Sequence, residues 1–322
     1  MAATQEQLDA VIAAWGPWSA HNIEIAPGLF TRPQLAGAPN PRLRQILQLV
    51  TDALGTTELS GIRVLDLGSL EGGFAIELAL HGAEVVGIEG REGNTRRAQF
   101  AATSLGLDGL CQFEQDDVRS LSVERHGKFD IVLSLGILYH LDAESVFRQL
   151  ESMYACTKRA LILDTHVSLR DNFGHEYGGH VYRGHLFTEH GSTDSSELIA
   201  SREWASLDNR QSFWPTRASL YDALTAIGFT SVLECHMPQS AITKADRVQL
   251  VAFKGERLDI RTVPSPPEPP TSYSAHSEIE PREALHAVVN DSSLLATAAA
   301  REVARRIRAA RRRHGRPSRG DT

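Results

Sequence analysis

The chain has 322 residues, of which 42% are hydrophobic and 7% aromatic, a composition typical of a globular protein with ample length for a core. Residues 301–322 hold nine arginines against two acids, so the other 300 residues carry a net charge of −14 within the chain's total of −7. Such an acidic body disfavours nucleic acid as a partner, and no apolar run approaches the roughly 20 residues of a membrane-spanning helix.

The N-terminus reads M-A-A-T-Q-E-Q-L-D, with acids where a secretion signal carries basic residues, so we expect a cytoplasmic protein. Cys111, Cys156 and Cys235 are far apart and lack metal-ligand spacing. This cysteine usage is typical of a reducing compartment and predicts no structural metal site.

Residues 1–58 are predicted to form an N-terminal helical segment. Apolar residues recur at helical spacing over 5–15 and again over 42–54. Between the two helices lies W-G-P-W-S-A-H-N-I-E-I-A-P-G-L-F-T, rich in aromatic residues and turn formers. This stretch either packs over the main domain or acts as a flap that closes on a ligand.

The stretch 62–89 predicts a β-α-β unit. A short apolar run ends at Leu67, a turn with Gly68, Gly72 and Gly73 follows, and a second apolar run ends on Glu89. A glycine turn lets a ligand approach backbone N–H groups, and a carboxylate after the second strand suits the two hydroxyls of a ribose. The unit therefore indicates a cofactor that contains a nucleoside.

Strands and helices continue to alternate along a predicted domain spanning 59–255. Alternation of this kind indicates an α/β fold with a mainly parallel sheet covered by helices on both faces. Two closing strands are predicted as an antiparallel pair at the edge. The predicted elements after Glu89 are a helix at 94–105, strands at 110–114 and 129–135, a helix at 143–154, a strand at 159–163, a helix at 216–227, and strands at 231–235 and 248–253.

Three further segments interrupt or follow this domain. Residues 167–213 contain five glycines and four histidines with little periodicity, which predicts an irregular insertion or lid. Residues 256–281 are rich in proline and predict an exposed linker. Residues 282–322 predict a basic helical tail that is solvated, mediates homo-oligomers or binds a partner.

Polar and small residues follow each predicted parallel strand. In an open parallel sheet, ligands bind beyond the carboxyl ends of the strands, so these residues are expected to share one site. They are Asp66, Gly68, Ser69, Gly72, Glu89, Gly90, Arg91, Asp116, Asp117, Leu135, Gly136, Tyr139, His140, Asp164 and His166.

The pattern V-L-D-L-G-S-L-E-G-G, with Glu89 about 20 residues after it, resembles the first two motifs of class I S-adenosylmethionine-dependent methyltransferases. The segments Q-D-D-V-R-S-L and F-D-I-V-L-S-L-G-I-L-Y-H-L resemble the third and fourth motifs. The resemblance implies a Rossmann-like sheet with one antiparallel strand, and Leu70 stands where the family has glycine. It also implies cofactor contacts from Asp66, Gly68, Ser69, Gly72, Glu89, Gly90, Asp117, Val118 and Leu135.

A narrower likeness concerns bacterial enzymes that carboxymethylate wobble uridine in tRNA with carboxy-S-adenosylmethionine. It rests on H-N-I-E-I-A-P-G, L-S-L-G-I-L-Y-H-L and S-F-W-P-T-R-A-S-L-Y-D-A-L. By that likeness Arg247 would hold the extra carboxylate of the donor. Methyltransferases of secondary metabolism and sugar tailoring share the same phrases. We therefore predict methyl transfer to an oxygen, or less readily a nitrogen or carbon, of a small molecule or sugar.

The alternatives are tRNA carboxymethyl transfer and a non-catalytic scaffold that binds S-adenosylmethionine. For a hydroxyl acceptor the enzyme must remove a proton, and a histidine suits that role. His140 and His166 are the two candidates. A lid over the acceptor would use Tyr139, Tyr177, Tyr182, Arg183 and Phe187. The histidines at 175, 180, 185 and 190 match no zinc spacing, so no metal site is predicted.

Overall fold

The computed structural model describes residues 3–38, 40–235 and 245–258. The linker and basic tail predicted over 256–322 therefore lie outside the described residues from 259 onward. Within the described ranges the strands are β1 (Glu24–Ala26), β2 (Leu29–Phe30), β3 (Arg63–Leu67), β4 (Glu84–Glu89), β5 (Cys111–Gln115), β6 (Phe129–Leu135), β7 (Thr157–His166), β8 (Phe173–Tyr177), β9 (His180–Thr188), β10 (Gln211–Pro215), β11 (Ser231–Glu234) and β12 (Arg247–Phe253). The α-helices are α1 (Gln5–Trp15), α2 (Pro41–Leu54), α3 (Gly73–Leu80), α4 (Glu92–Ser104), α5 (Val123–His126), α6 (Ala143–Cys156), α7 (Ser196–Ser201) and α8 (Arg217–Ile227).

The central sheet has seven strands in the order β11-β12-β7-β6-β3-β4-β5. Strand β12 is antiparallel to both of its neighbours, and the other pairings in the sheet are parallel. The chain builds outward from β3 through β4 to β5 and then returns to the other side of β3 with β6. This reversal leaves a crevice at the carboxyl ends of β3 and β6, where ligands of open α/β sheets bind. The predicted fold class is confirmed, with the antiparallel strand one place in from the edge.

Alternate residues of the buried strands face opposite layers. Val64 of β3 lies in one apolar core with α1, α2, α3 and α4, whereas Leu65 and Leu67 lie in a second core with α6 and α8. All three side chains are at most 1% exposed. Burial on both faces explains why these strands read as continuous apolar runs in the sequence. No helix in the described part of the chain is long and apolar enough to cross a membrane.

The N-terminal segment is fixed to the domain by one buried carboxylate. Glu71 precedes α3, is 1% exposed, and accepts hydrogen bonds from the backbone N–H groups of Ser19, Ala20 and His21. The ring of His21 in turn accepts from Gly73 N at 3.0 Å. Burial, together with the nearby arginines, lowers the pKa of His21 to about 4, so the ring stays neutral and can accept this bond.

Residues 167–213 are not the irregular insertion that the sequence predicted. Strands β8, β9 and β10 form an antiparallel sheet in the order β10-β9-β8, and α7 follows in the loop before β10. Glycines and histidines within these strands hide the two-residue alternation that identifies a strand. The prediction of an irregular segment was wrong for the three strands, and the loop between β9 and β10 is the part that reaches the crevice.

Gly72 is needed for packing within the fold. Its φ is +78°, and a Cβ there would lie 2.5 Å from the Phe113 ring and 3.0 Å from Ala98 Cβ. We expect Gly72→Ala to lower the free energy of unfolding by about 2–4 kcal/mol, because the substitution adds overpacking to an unfavourable φ. Gly106→Ala is the matched control, since φ is +71° there and nothing lies within 4 Å of the added Cβ. Urea denaturation of both variants tests this, and equal losses would contradict the packing role.

Candidate active site

A cavity of about 270 Å³ lies at the carboxyl ends of the central strands. The segment 203–209, in the loop between β9 and β10, covers one side of it. Eleven of the predicted site residues line the cavity, namely Gly68, Glu89, Gly90, Arg91, Asp117, Val118, Leu135, Gly136, Tyr139, His140 and Arg247. The structure therefore brings residues from five separate parts of the chain to one place.

The glycine turn and Glu89 form the centre of this cavity wall. Glu89 is 6% exposed and accepts hydrogen bonds from Leu70 N at 3.0 Å and Arg91 N at 2.9 Å. Leu70 has φ +49° and is the one non-glycine residue with a positive φ in the described ranges. It therefore adopts the left-handed conformation that glycine would take at this position, at a cost of about 1–2 kcal/mol. Strain of this kind is typical of functional sites.

Asp66 and Ser69 lie behind the turn, and they do not line the cavity. Asp66 is 1% and Ser69 2% exposed, and within the described ranges neither Asp66 Oδ2 nor Ser69 Oγ has a hydrogen-bond partner. Buried polar atoms without partners are uncommon in native structures, and at such a turn they fit a site that binds a polar ligand. Gly72 does not line the cavity either, and its role is the close packing against Phe113 and Ala98 described above.

Burial, and then the charge of Glu89, raises the pKa of Asp66 to about 7. An unfolded aspartate has a pKa near 3.8, so between about pH 4 and 7 the folded protein binds a proton that the unfolded chain does not. We expect the stability of the wild type to fall as pH rises through this window, with a smaller fall in Asp66→Asn. Urea denaturation of both proteins at pH 5 and pH 8 measures the difference, and identical pH dependence would contradict the assignment.

Ionic and backbone contacts fix the covering segment to the strand ends. Arg119 binds Asp117 at 2.6 Å and Asp208 at 2.7 Å, and these two carboxylates raise its pKa. Arg91 donates to the carbonyl oxygens of Ala200, Arg202 and Ala205 at 2.7–3.0 Å. A Cβ on Gly90 would lie 2.4 Å from a methyl carbon of Leu207, so glycine there allows the segment to approach. No local pattern in the sequence indicates these partners.

Two arginines share one buried carboxylate at the other end of the cavity. Asp164 accepts from Arg42 Nη2 at 3.0 Å and from Arg247 Nε at 2.6 Å, and its side chain is 5% exposed. Burial opposes the charge on Arg247, but Asp164 and then Tyr139 raise its pKa. Two cations around one anion leave a net positive charge that suits an anionic ligand group. Arg42 was missed because its position in the helical pattern resembles an ordinary solvent-facing one.

His140 is held by the carboxylate of Glu189, a contact that no motif in the sequence indicates. His140 Nδ1 lies 2.9 Å from Glu189 Oε1, and Glu189 further accepts from Ser212 Oγ at 2.9 Å and Ser206 N at 3.2 Å. Burial favours the protonated acid, but the His140 contact and the other donors lower the pKa of Glu189. A carboxylate on Nδ1 fixes the tautomer in which Nε2 can accept a proton. The pair has the form of an oriented general base.

His166, the second histidine predicted as a base, lies away from the cavity. Its ring is 4.6 Å from the ring of Trp214 at an interplanar angle of 15°, and its Nδ1 is 3.1 Å from Asp246 O. The residue is 8% exposed at the end of β7. The structure therefore places His140 on the cavity, whereas His166 packs against neighbouring rings and does not line it.

Three residues predicted to bind the acceptor also lie elsewhere. Tyr182 and Tyr177 stack on Phe147, with ring centroids 4.4 and 5.3 Å away. Arg183 forms an ion pair with Asp171 at 2.5 Å on the outside of the small sheet. Tyr177, Tyr182 and Arg183 therefore lie outside the cavity that contains the other predicted residues, because the segment is a sheet whose inner face packs on α6.

Three of the four histidines of this region have separate hydrogen-bond partners. These are Glu144 for His175, Asn172 for His185 and Ser206 for His190, while the ring of His180 lies 6.0 Å from that of Tyr182. Over the described ranges, no three His, Cys, Asp or Glu side chains come together as a candidate metal site.

Part of the chain is similar to a known family of domains. Residues 58–188 match the family model described as a methyltransferase domain. The bifunctional O-antigen chain terminator methyltransferase/kinase WbdD of Escherichia coli is 28% identical over 151 residues, which are 45% of this chain and 21% of that protein. The chain thus matches only about a fifth of the length of this curated relative.

Among solved structures, the N-terminal domain of EvdMO1, crystallised with SAH (S-adenosylhomocysteine) and D-fucose, has a TM-score of 0.61 and 23% identity. The match covers 80% of this chain and 98% of that domain. The complete EvdMO1 structure has a TM-score of 0.51 and 23% identity, with 78% of this chain and 47% of that one covered. At this identity the likeness establishes the fold.

Proposed function

We propose that this chain, which carries a methyltransferase domain over residues 58–188, transfers a methyl group from S-adenosylmethionine to a hydroxyl oxygen of a sugar or other small molecule. The observation that carries the proposal is the pair of His140 and Glu189, 2.9 Å apart, on a cavity that also contains Glu89 and the glycine turn. One part of the cavity suits a nucleoside and the other suits removal of a proton from a hydroxyl.

The residues present fit S-adenosylmethionine. Glu89 would accept from the ribose hydroxyls, and Asp117 with Val118 would border the adenine. Arg42 would hold the methionine carboxylate, since it lines the cavity with its Nη2 3.3 Å from Leu135 O. Asp66 Oδ2 and Ser69 Oγ lack hydrogen-bond partners among the described residues, lie behind the turn and outside the cavity lining, and would support the turn from that side.

When bound, S-adenosylmethionine supplies a methyl group already activated on a sulfonium. The protein has to place an acceptor oxygen in line with it and remove the hydroxyl proton. Nε2 of His140 accepts that proton, and Glu189 stabilises the resulting imidazolium. The covering segment 203–209 limits water in the cavity, which strengthens the electrostatic interaction between His140 and Glu189.

Donor binding tests the cofactor part of the proposal. We expect Glu89→Ala to weaken binding of S-adenosylhomocysteine by tenfold or more, a loss of about 1.4 kcal/mol or greater. Glu92→Ala is the matched control, because Glu92 is a nearby exposed acid whose partner is Arg96 on the same helix. Isothermal titration of the three proteins measures the change. No binding to the wild type would refute the proposal.

The acceptor class is supported by two similar proteins. WbdD is named for terminating an O-antigen chain, and the EvdMO1 domain was crystallised with D-fucose. Both names involve carbohydrates. We therefore place sugars first among the acceptors of this chain, with other hydroxylated products of secondary metabolism next.

Carboxymethyl transfer to tRNA wobble uridine is the second candidate. The observation that favours it is Arg247, a second cavity arginine that shares Asp164 with Arg42 and lies over the Tyr139 ring at 5.8 Å. Under this alternative, Arg247→Ala would weaken binding of carboxy-S-adenosylmethionine at least tenfold while sparing S-adenosylmethionine. Equal affinity of wild type and variant for the carboxylated donor would remove this candidate.

A further inference from the structure

The small sheet presents different side chains on its two faces. In the ladder of β9 with β10, His185 lies opposite Trp214 and Phe187 lies opposite Ser212, so these four residues share one face. The alternate residues Tyr182 and Phe213 belong to the buried core around Phe147. The face with Phe187 contacts the end of the central sheet through Trp214, whose ring stacks on His166, and it continues to Glu189 just beyond the end of β9.

Phe187 is the exposed end of a fixed aromatic stack. Its ring lies 4.7 Å from that of Trp214 at 11°, and Trp214 lies 4.6 Å from His166 at 15°. The indole N–H of Trp214 donates to Tyr139 O at 3.0 Å, which fixes the orientation of the indole. Phe187 is nevertheless 41% exposed. A rigid aromatic surface loses little conformational entropy when a ligand covers it.

The stack is continuous with the catalytic pair. Glu189 lies two residues from Phe187 along the strand direction, a distance of about 7 Å. Tyr139, which contacts Trp214 edge-on, has its ring centroid 4.3 Å from that of His140. A ligand lying on Phe187 is therefore about one sugar ring away from the residues proposed to remove a proton.

Polar groups border the same aromatic surface. His185, directly opposite Trp214, has Nδ1 2.9 Å from Asn172 Oδ1. The charges nearby, Arg183 and Asp171, neutralise each other in an ion pair. The same face also carries the carboxylates of Glu176, opposite Val181, and Glu189. These acids would repel the phosphates of a nucleic acid.

We infer that Phe187, supported by Trp214, binds a pyranose ring of the acceptor next to the one that reacts at His140. A pyranose has an apolar C–H face that packs on an aromatic ring, and a rim of hydroxyls that hydrogen-bond to polar side chains. The inference rests on the proposed function and deepens it, since it names a carbohydrate as the substrate class and Phe187 as a specificity-determining residue. The exposed ring of Phe187, held in place by Trp214, offers a ligand an apolar surface two residues from Glu189.

Saturation-transfer difference NMR with D-fucose, in the presence of S-adenosylhomocysteine, tests the inference. We expect the C–H protons of one face of the pyranose to receive saturation from the wild type, and Phe187→Ala to weaken the affinity roughly three- to tenfold. Phe187→Trp should bind D-fucose with an affinity similar to that of the wild type, because it keeps an aromatic ring at this position. Val181→Ala is the matched control, because Val181 is 63% exposed on the same strand and its affinity for D-fucose should equal that of the wild type.

The outcomes separate this inference from the proposed function. Equal D-fucose binding by the wild type and Phe187→Ala, or no binding by the wild type, would overturn the carbohydrate site even if S-adenosylhomocysteine binds. Binding of D-fucose that depends on Phe187 would support it even if titration shows no affinity for S-adenosylhomocysteine. That second result would refute the proposed methyl transfer and leave the carbohydrate site standing.

Discussion

Replacing His140 by alanine is expected to lower kcat for methyl transfer to a hydroxyl by about 10²–10⁴, the range that a positioned general base contributes. The reason is that His140 is the cavity histidine whose Nδ1 is held by a carboxylate, 2.9 Å away. The measurement is the rate of S-adenosylhomocysteine formation at saturating donor, with a sugar acceptor on which the wild type turns over. Affinity for S-adenosylhomocysteine, measured by titration, should not change.

Glu189→Gln distinguishes positioning from a merely structural role. An amide cannot stabilise an imidazolium as a carboxylate does, and it can hold the wrong tautomer of His140. We expect kcat to fall tenfold or more, while KM for the donor stays constant. His81→Ala is the control, since His81 pairs with Glu77 on the surface of the helix end, 3.4 Å apart. Retention of full kcat in His140→Ala would refute the role of His140 as general base. It would also indicate an acceptor that needs no deprotonation.

Replacing Glu71 by alanine should have the largest effect on stability. Glu71 accepts from three consecutive backbone N–H groups, those of residues 19–21, and lies 3.5 Å from Arg97, whose side chain is 6% exposed. The substitution leaves the three backbone donors without their acceptor, whereas Arg97 keeps its ion pair with Glu203 at 2.9 Å. A buried donor without an acceptor costs about 1–3 kcal/mol, so the three together should lower the free energy of unfolding by about 3–5 kcal/mol. Urea denaturation measures the loss.

The control for this variant is Glu77→Ala, on the next helix α3. Its side chain is 32% exposed and its partner is the surface residue His81. We expect a change within about 0.5 kcal/mol. Hydrogen exchange should also show that the backbone amides of residues 19–21 lose protection in Glu71→Ala. Unchanged protection there would mean that the N-terminal segment is fixed by its apolar contacts and that Glu71 is dispensable for docking.

The sequence by itself determined the sheet, its approximate strands and the edge at which the site lies. Runs such as 62–67 and 129–135 are apolar because strands of a parallel sheet are buried on both faces, and this property is local. Because the carboxyl ends of those strands meet at one edge, Glu89, Asp117 and His140 could be placed together from chain order alone. The strands of the small sheet were missed, since their glycines and histidines hide the alternation.

Only the tertiary structure decided which side chains work together. Glu189 meets His140 across 49 residues of sequence, Arg42 meets Asp164 across 122, and Arg119 meets Asp208 across 89. Each pair consists of common residue types whose local patterns carry no mark of the partner. The same holds for Tyr182. Its sequence context predicts an aromatic side chain that binds the acceptor, whereas the side chain lies in the apolar core. Hydrogen bonds and ion pairs act over a few ångströms, so a partner distant in sequence is specified only once the fold has brought the two chain segments together.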